Sequence, residues 1–499
     1  MRRGAWNLHV LIGAALLVLG VAAAALVAEQ RAPGAVHSAP APAARPNIVF
    51  VLTDDLSWDL LPYMPEVRRL QRDGMTFRQF MVADSLCCSS RATIFTGEFP
   101  HDTGVLGNVP PSGGYQAFRA HGDLGRSVAV ALHRAGYRTA LFGKYLNDYH
   151  PFDGGPGPGW DEWLASSYAY SGFGYEESDD GRAEIAGFRP RDYVTDVLSR
   201  HAVRFIRSNA GRRPFFAMVS TYAPHKPFVP APRDRSLYRH LRLPHHAAFD
   251  AASTHPPTWL GHRPPLTARQ KRVLVGDFRA RARSVRAVDE MIGRIRATLR
   301  ETGAARDTYV VFTSDNGFHL GDHRLMGGKR TAFDADIRVP LVVAGPGVQR
   351  GGATSELAGT VDLAPTFERW AGLPLDRSRD GRPLTPLLHG RSPRWWRRAL
   401  LIEHFDDRAV TGDPDTQGWA EGRPTTYAAL RTRWATYVQY ADGERELYDR
   451  RHDPGELHNL APRVGRARLT RLSAALARYR ECHGERSCWR AGAFAAPAR

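Results

Sequence analysis

Asn47 to Thr53 (NIVFVLT) is an unbroken apolar, β-branched run that stops abruptly at two carboxylates, Asp54 and Asp55. A strand that is apolar at every position has no polar face to offer water, so it belongs inside a sheet covered on both sides. Residues 309–313 (YVVFT) repeat the pattern and run into Ser314-Asp315-Asn316, while residues 139–142 run into Gly143-Lys144. Further strands are expected at 214–220 and 339–344. Helical patterns occupy 64–72, 127–135, 193–208, 268–299 and 362–371. This alternation predicts an α/β fold with a large, mostly parallel or mixed sheet sandwiched by helices. After about Pro374 the rhythm changes. Strands at 399–403 and 434–440 and an amphipathic helix at 466–479 predict a smaller C-terminal α+β domain. In such sheets ligands bind beyond the carboxyl ends of strands, which is where the three polar clusters fall.

The expected organisation is residues 1–30 as an export signal or membrane anchor and 31–45 as a Pro/Ala-rich linker. Residues 46–375 form a catalytic domain and 376–499 the smaller one. Arg2 and Arg3 precede an apolar stretch over 8–28 that is long for a signal core and close to a bilayer span, so cleavage and anchoring both stay open. Either way the chain is expected outside the cytoplasm. Residues 236–266, rich in His and Pro, read as a long loop and a candidate lid. The net charge of +17 favours anionic partners. Its arginines are scattered, however, without a zinc-finger or RNA-recognition pattern, so nucleic acid is not an expected partner. Only four of the 68 basic residues are lysines: Lys144, Lys226, Lys271 and Lys329.

Four cysteines occur. Cys482 and Cys488 are close enough for a local disulfide in an oxidising compartment. Cys87 and Cys88 are neighbours, a pair that bridges only with strain. They lie in DSLCCSSRATIFTG, where Ser89-Ser90-Arg91 is read as opening a helix whose free N–H groups favour anions and acidify a thiol. Asp54, Asp55, Asp315 and Asn316 offer the hard oxygens that Ca²⁺ prefers, although an Asp-Asp pair at a strand end is more often a turn or a cap.

Cys87-x-Ser89-x-Arg91, with Ala92-Thr93 and Thr96-Gly97, resembles the signature of the sulfatase family. Its doubled cysteine is similar to the branch of N-acetylglucosamine-6-sulfatases and extracellular heparan 6-O-endosulfatases. The order of further motifs is also family-like: Pro46-Asn47-Ile48-Val49, Gly143-Lys144-Tyr145-Leu146-Asn147, Ala223-Pro224-His225-Lys226-Pro227, Ser314-Asp315-Asn316-Gly317-Phe318-His319, Gly328-Lys329-Arg330, Ile337-Arg338-Val339-Pro340, and Glu446-Leu447-Tyr448-Asp449. The resemblance implies an alkaline-phosphatase-like fold and a sulfuric ester hydrolase. In it Cys87 is converted to formylglycine (3-oxoalanine) by a formylglycine-generating enzyme. Asp54, Asp55, Asp315 and Asn316 would hold Ca²⁺ together with residue 87. Arg91 would help activate the nucleophile, Lys144 and Lys329 would neutralise the sulfate oxygens, and His225 would protonate the departing alcohol. His319 joins Lys144, His225 and Lys329 as a candidate substrate-binding residue. The retained lysines fit this reading, because a compact ammonium suits a small oxyanion better than a guanidinium.

Two positions depart from the family pattern. Residue 89 is Ser where the usual signature has Pro. Residue 146 is Leu where many members carry His, which leaves the elimination base open among His319, Asn147 and His150. The expected substrate is a sulfated small molecule or polysaccharide, such as an N-acetylglucosamine 6-sulfate or an aryl sulfate. Phosphodiester or phosphonate monoester hydrolysis is the alternative chemistry. A non-catalytic binder of sulfated glycans is the alternative if Cys87 stays a thiol.

Overall fold

The structure is a computed structural model, and it describes residues 45–406, 413 and 415–493. The expected signal or anchor and all but the last residue of the linker lie outside the described residues. Among the described residues no helix is long and apolar enough to cross a membrane.

The strands are β1 (Asn47–Thr53), β2 (Met75–Met81), β3 (Arg138–Lys144), β4 (Glu162–Ser167), β5 (Glu176–Asp179), β6 (Arg182–Ile185), β7 (Phe215–Ser220) and β8 (Thr308–Ser314). They continue with β9 (His319–Leu320), β10 (Gly327–Gly328), β11 (Arg338–Ala344), β12 (Gly352–Thr354) and β13 (Ala358–Gly359). The last four are β14 (Ala399–His404), β15 (Tyr427–Thr432), β16 (Ala435–Tyr440) and β17 (Arg445–Asp449). The main sheet runs β12-β2-β11-β8-β1-β7-β3-β4-β5-β6, with β13 also on β2. Its centre, β8-β1-β7-β3-β4, is parallel, and β11 and the β4-β5-β6 edge are antiparallel. The mixed sheet follows the expectation from the apolar runs. The β5–β6 hairpin and β2 carry weaker patterns, and sequence reading passes over them.

β1 is buried at every position because its alternate side chains enter two different cores. Ile48, Phe50 and Leu52 pack with Phe95, Phe367 and Leu400, while Val49 and Val51 pack with Leu198, Phe205, Val288 and Ile292. Helices therefore cover both faces: Cys87–Thr96 and Leu363–Trp370 on one, Val194–Asn209 and the 34-residue Ala268–Glu301 on the other. The C-terminal antiparallel sheet β14-β15-β16-β17 buries Leu400, Ile402, Leu430 and Val438 in the first of these cores. The second sheet thus shares the core of the first. Residues 236–266, read as a lid, divide between two anchors: Arg279 Nε of the long helix donates to the Leu241 carbonyl (2.7 Å) and Asp250 N to the Gly321 carbonyl (2.8 Å), while Trp259 Nε1 donates to Tyr440 Oη (2.8 Å) and Thr258 N to Glu444 (2.8 Å).

Register places the site. Thr53 lies opposite Ser314, Leu52 opposite Ser220, and Gly143 opposite Ser220, so four parallel strands end in one row. Gly143 has φ +109°, and a Cβ there would stand 1.9 Å from the Ser220 carbonyl oxygen. Gly143→Ala is expected to destabilise the protein by about 2 kcal/mol or more through strain and a backbone clash. A lowered midpoint in denaturant unfolding checks this; an unchanged midpoint would show that the strand ends can part without cost.

Candidate active site

The row of strand ends carries Asp54-Asp55 after β1, Asp315-Asn316 after β8, Lys144 at the end of β3 and, through a short turn after β7, His225. The turn at Asp55 is left-handed (φ 64°), a conformation that Asp tolerates better than most residues. It is held from both sides: Asp55 N donates to Asp315 Oδ1 (3.2 Å), and Arg281 Nη2 donates to the Asp55 carbonyl (2.7 Å). Lys329 arrives differently. β9 and β10 pair as a small ribbon, His319 opposite Gly328, and deliver the lysine from the excursion between β8 and β11.

Cys87 opens the helix Cys87–Thr96, two residues earlier than the serines suggested, and the whole helix is buried. Asn108 Oδ1 accepts from Cys88 N (3.0 Å), which satisfies one of the helix's free N–H groups. The Cys87 sulfur lies 2.9 Å from Lys329 Nζ, 3.4 Å from Asp54 Oδ1 and 3.5 Å from Asp415 Oδ2. Arg91, one turn further along, forks between strand ends: Nε donates to Asp315 Oδ2 (2.8 Å), and Nη1 to the Lys144 carbonyl (3.0 Å) and Ser220 Oγ (2.7 Å). Lys144 Nζ sits 2.7 Å from Asp54 Oδ2, and Lys329 Nζ 2.8 Å from Asp55 Oδ1.

Buried charges of both signs set the electrostatics. Burial raises Asp54, but Lys144, His225, Arg91 and Lys329 outweigh it and hold that carboxyl below its usual range. Asp315 is pushed up to about 6 by burial and by the charge of Asp54. The Cys87 thiol moves opposite to the expected acidification. Burial and the adjacent Asp54 raise it well above the ordinary thiol value, against the pull of Lys144 and Lys329. As a thiol, residue 87 is therefore neutral and a poor nucleophile.

His225 is protonated at both nitrogens in this setting, because each faces an acceptor: Nδ1 the Lys226 carbonyl (2.6 Å) and Nε2 the Asp415 carboxylate (2.6 Å). Burial lowers its pKa, yet Asp415, Asp55 and Asp54 raise it further. Tyr170 covers the imidazole at 4.3 Å between ring centres. A cavity of about 330 Å³ opens here, lined among others by Asp55, Tyr170, His225, Lys329 and Asp415.

Asp415 and Tyr170 escaped sequence reading. Asp415 also lies 3.1 Å from Lys329 Nζ and accepts from Asn108 Nδ2 (2.8 Å). Asp413-Pro414-Asp415 has the composition of an ordinary turn, and nothing in its local pattern marks a site. His319, by contrast, does not line the cavity. Its Nδ1 bonds Asp336 (2.9 Å) and its Nε2 the Glu421 carbonyl (2.7 Å), so it braces the β9–β10 ribbon rather than the substrate. His150 is half-buried, with Nε2 3.8 Å from Asp148 Oδ1, and does not line the cavity.

Atoms of Asp54, Asp55, Cys87 and His225 all lie within 4.8 Å of one another, and of these the two carboxylates and residue 87 can offer a lone pair while His225 carries both its protons. Asn316 Oδ1 is buried beside them without a hydrogen-bond partner, while its amide donates to Asp55 Oδ1 (2.6 Å). An orphaned hard oxygen beside two carboxylates fits a divalent cation such as Ca²⁺. Asp315 is adjacent but already engaged by Arg91 and backbone N–H groups.

Carboxylates fit for a metal ion, two buried ammonium groups and an imidazolium gathered at the strand ends, with Lys329 and His225 lining one cavity, define a hydrolase of anionic esters. The sulfatase family model matches residues 46–373, and a model described as N-sulphoglucosamine sulphohydrolase, C-terminal, matches 321–481. Human N-acetylglucosamine-6-sulfatase is 31% identical over 482 residues, 90% of this chain and 87% of its own length. A solved structure described as in complex with its substrate D-glucosamine-2-N,6-O-disulfate shares the fold (TM-score 0.72, 24% identity, 88% of this chain and 97% of that one). So does a phosphonate monoester hydrolase from Silicibacter pomeroyi (TM-score 0.66, 24% identity, 86% and 93%). The chain belongs to the sulfatase family and is a sulfuric ester hydrolase.

His101, in the signature segment, lies away from the cavity. Its Nδ1 bonds Glu403 (2.7 Å) and its Nε2 the carbonyl of Cys482, which is disulfide-bonded to Cys488. Burial lowers His101, but the hydrogen bond and charge of Glu403 carry it up to about 9. Its folded pKa exceeds the unfolded value, so its stabilisation is complete below about 6.5 and is lost as pH rises through about 9. The difference in Tm between wild type and His101→Gln is expected to narrow across that window; a constant difference would show that the imidazolium contributes nothing.

Proposed function

We propose that the protein hydrolyses the sulfate ester of a sulfated sugar, with a 6-sulfated N-acetylglucosamine unit as the substrate class. The observation that carries this reading is the placement of Cys87. It is sealed at the start of its helix, neutral as a thiol, and yet surrounded by Lys329, Asp54 and the Arg91 network. That environment suits residue 87 as formylglycine, made by a formylglycine-generating enzyme during maturation, better than it suits a thiolate. As its hydrate the oxidised residue supplies one hydroxyl to attack sulfur and a second whose deprotonation expels sulfate. The sugar specificity rests on the names of the relatives, several of which are N-acetylglucosamine-6-sulfatases.

Asp54, Asp55 and Asn316, with Asp315 beside them, would hold Ca²⁺ next to residue 87. When bound, the ion supplies Lewis acidity that makes a neighbouring hydroxyl easier to deprotonate. The protein's own groups do the remaining work. Arg91 ties Asp315 to the ends of β3 and β7 and adds fixed positive charge under the nucleophile. Lys144 and Lys329 present compact ammonium groups to the sulfate oxygens, where negative charge shifts as the S–O bond breaks. His225, its Nδ1–H fixed by the Lys226 carbonyl, delivers the Nε2 proton to the departing alcohol oxygen. The basic, apolar start of the chain supports export by a cleaved signal or retention on a membrane anchor, which fractionation of the native host tests. Recovery of intact chain from the cytosol alone would reject export.

Arg91→Ala and Lys329→Ala are expected to lower turnover of 4-nitrophenyl sulfate by at least about 10²-fold with the circular dichroism unchanged. Near-normal turnover in either would remove the assigned roles. Chelation is expected to abolish activity and Ca²⁺ to restore it. Mass spectrometry of the residue-87 peptide from the native host is expected to find an aldehyde, and a wholly unmodified thiol would reject the mechanism. A much higher kcat/KM on 4-nitrophenyl phosphate or phosphonate monoesters than on the sulfate would reassign the site to phosphorus esters.

A further inference from the structure

The C-terminal sheet carries a second concavity, a groove of about 620 Å³ that shares no lining residue with the cavity at His225. Trp434 lies in the tight connection between β15 and β16, where its N–H donates to Thr432 Oγ1 (3.3 Å) and its carbonyl accepts from Arg450 N (2.8 Å). The indole is 43% exposed, unusual for so large an apolar ring. Two guanidinium groups flank it, Arg433 at 4.8 Å and Arg451 at 5.0 Å from the ring centre. Arg398 and Arg468 complete the basic lining.

None of these four arginines has an ion-pair partner among the described residues, although arginines elsewhere on this surface, such as Arg233 and Arg138, pair with carboxylates. Arg397, in the same wall, is buried and bonded to Asp362 through Nη2, while its Nε and Nη1 have no hydrogen-bond partner. Two carboxylates, Glu356 and Asp449, also line the groove, so the arginines outnumber the acids there. Arginine is abundant in this chain, and scattered arginines carry no argument. Here they converge on one concave surface around an exposed aromatic ring held by its turn, none within ion-pair distance of a described carboxylate, although Arg451 helps to lower the nearby Asp449.

We propose that this groove is a secondary binding site for a sulfated polysaccharide, with a sugar ring stacked on Trp434 and sulfate groups paired with the arginines. The planar guanidinium fork matches sulfate as it matches other tetrahedral oxyanions, and the indole offers a flat apolar face to a pyranose. Such a site holds a polymer on the enzyme between cleavages and raises the effective concentration of its sulfated units at the catalytic cavity. The choice of a sulfated glycan rests on the substrate class proposed above; the groove itself does not.

The test uses the full protein with heparin and chondroitin sulfate as probes, unsulfated dextran as control, and double-stranded DNA as competing polyanion. Arg433→Ser/Arg451→Ser is expected to weaken heparin or chondroitin sulfate binding by roughly tenfold or more. It is also expected to flatten the slope of log affinity against log salt by about 2, as two lost anion contacts require. Trp434→Ala is expected to weaken binding with little change in that slope. Turnover of 4-nitrophenyl sulfate is expected to stay at the wild-type level in both variants. Polymer binding equal to wild type in the arginine variant would overturn the inference. So would tighter binding of DNA than of either glycan, which would assign the groove to nucleic acid. Loss of sulfatase activity in the parent protein would count against the proposed reaction, and the polymer measurement would still read the groove.

Discussion

The parallel pairing of β1 with β8 and β7 is the constraint on which the catalytic arrangement depends. Thr53 lies opposite Ser314 and Leu52 opposite Ser220. The residues just beyond those pairs, Asp54-Asp55 and Asp315-Asn316, therefore emerge side by side although some 260 positions separate them in the chain. A slip of one residue would send every apolar side chain of β1 to the opposite core, so packing on both faces locks the register. β3 adds Lys144 to the same row because Gly143 allows its backbone to approach Ser220 closely. The metal-fit carboxylates and Lys144 are thus set by the sheet itself.

That row would be unstable if its charges stood alone. Burying an isolated charge is costly, and removing one partner of a buried pair more so than removing both. Here each cation is set against carboxylates: Lys144 on Asp54, Lys329 on Asp55 and Asp415, Arg91 on Asp315, His225 on Asp415. The division of labour among cations follows from shape. Arg91 uses its planar fork to bind three partners in different directions, a task of orientation. Lys144 and Lys329 each set a compact charge against a buried carboxylate, Asp54 and Asp55, where a wider guanidinium would need more room. This accounts for two of the few lysines in a chain dominated by arginine.

The C-terminal sheet does more than extend the fold. Its strands share the core packed against the Cys87 helix, and its connections reach the site through Asp415, the Glu421 carbonyl on His319, and Tyr427, whose hydroxyl donates to the Arg330 carbonyl (3.0 Å). Thr258 and Trp259 fasten this region by hydrogen bonds to Glu444 and Tyr440. The catalytic cavity is therefore built from both parts of the chain, while the basic groove at Trp434 belongs to the C-terminal sheet and its surroundings.

Much was legible in the sequence. Continuous apolar runs announced β1 and β8, their abrupt ends announced the carboxylates, and Cys87-x-Ser89-x-Arg91 with the rare lysines announced the chemistry, because each is a local pattern with a local cause. The tertiary structure alone decided that the Cys87 thiol is raised instead of acidified, since burial and the neighbouring Asp54 outweigh Lys144 and Lys329. It decided that neither His319, which braces a ribbon, nor any residue of 236–266 lines the cavity at His225. It also brought Asp415, from an unremarkable turn, against His225 and Lys329. These outcomes depend on which distant groups share a low-dielectric space, and no pattern within a short window of sequence encodes that.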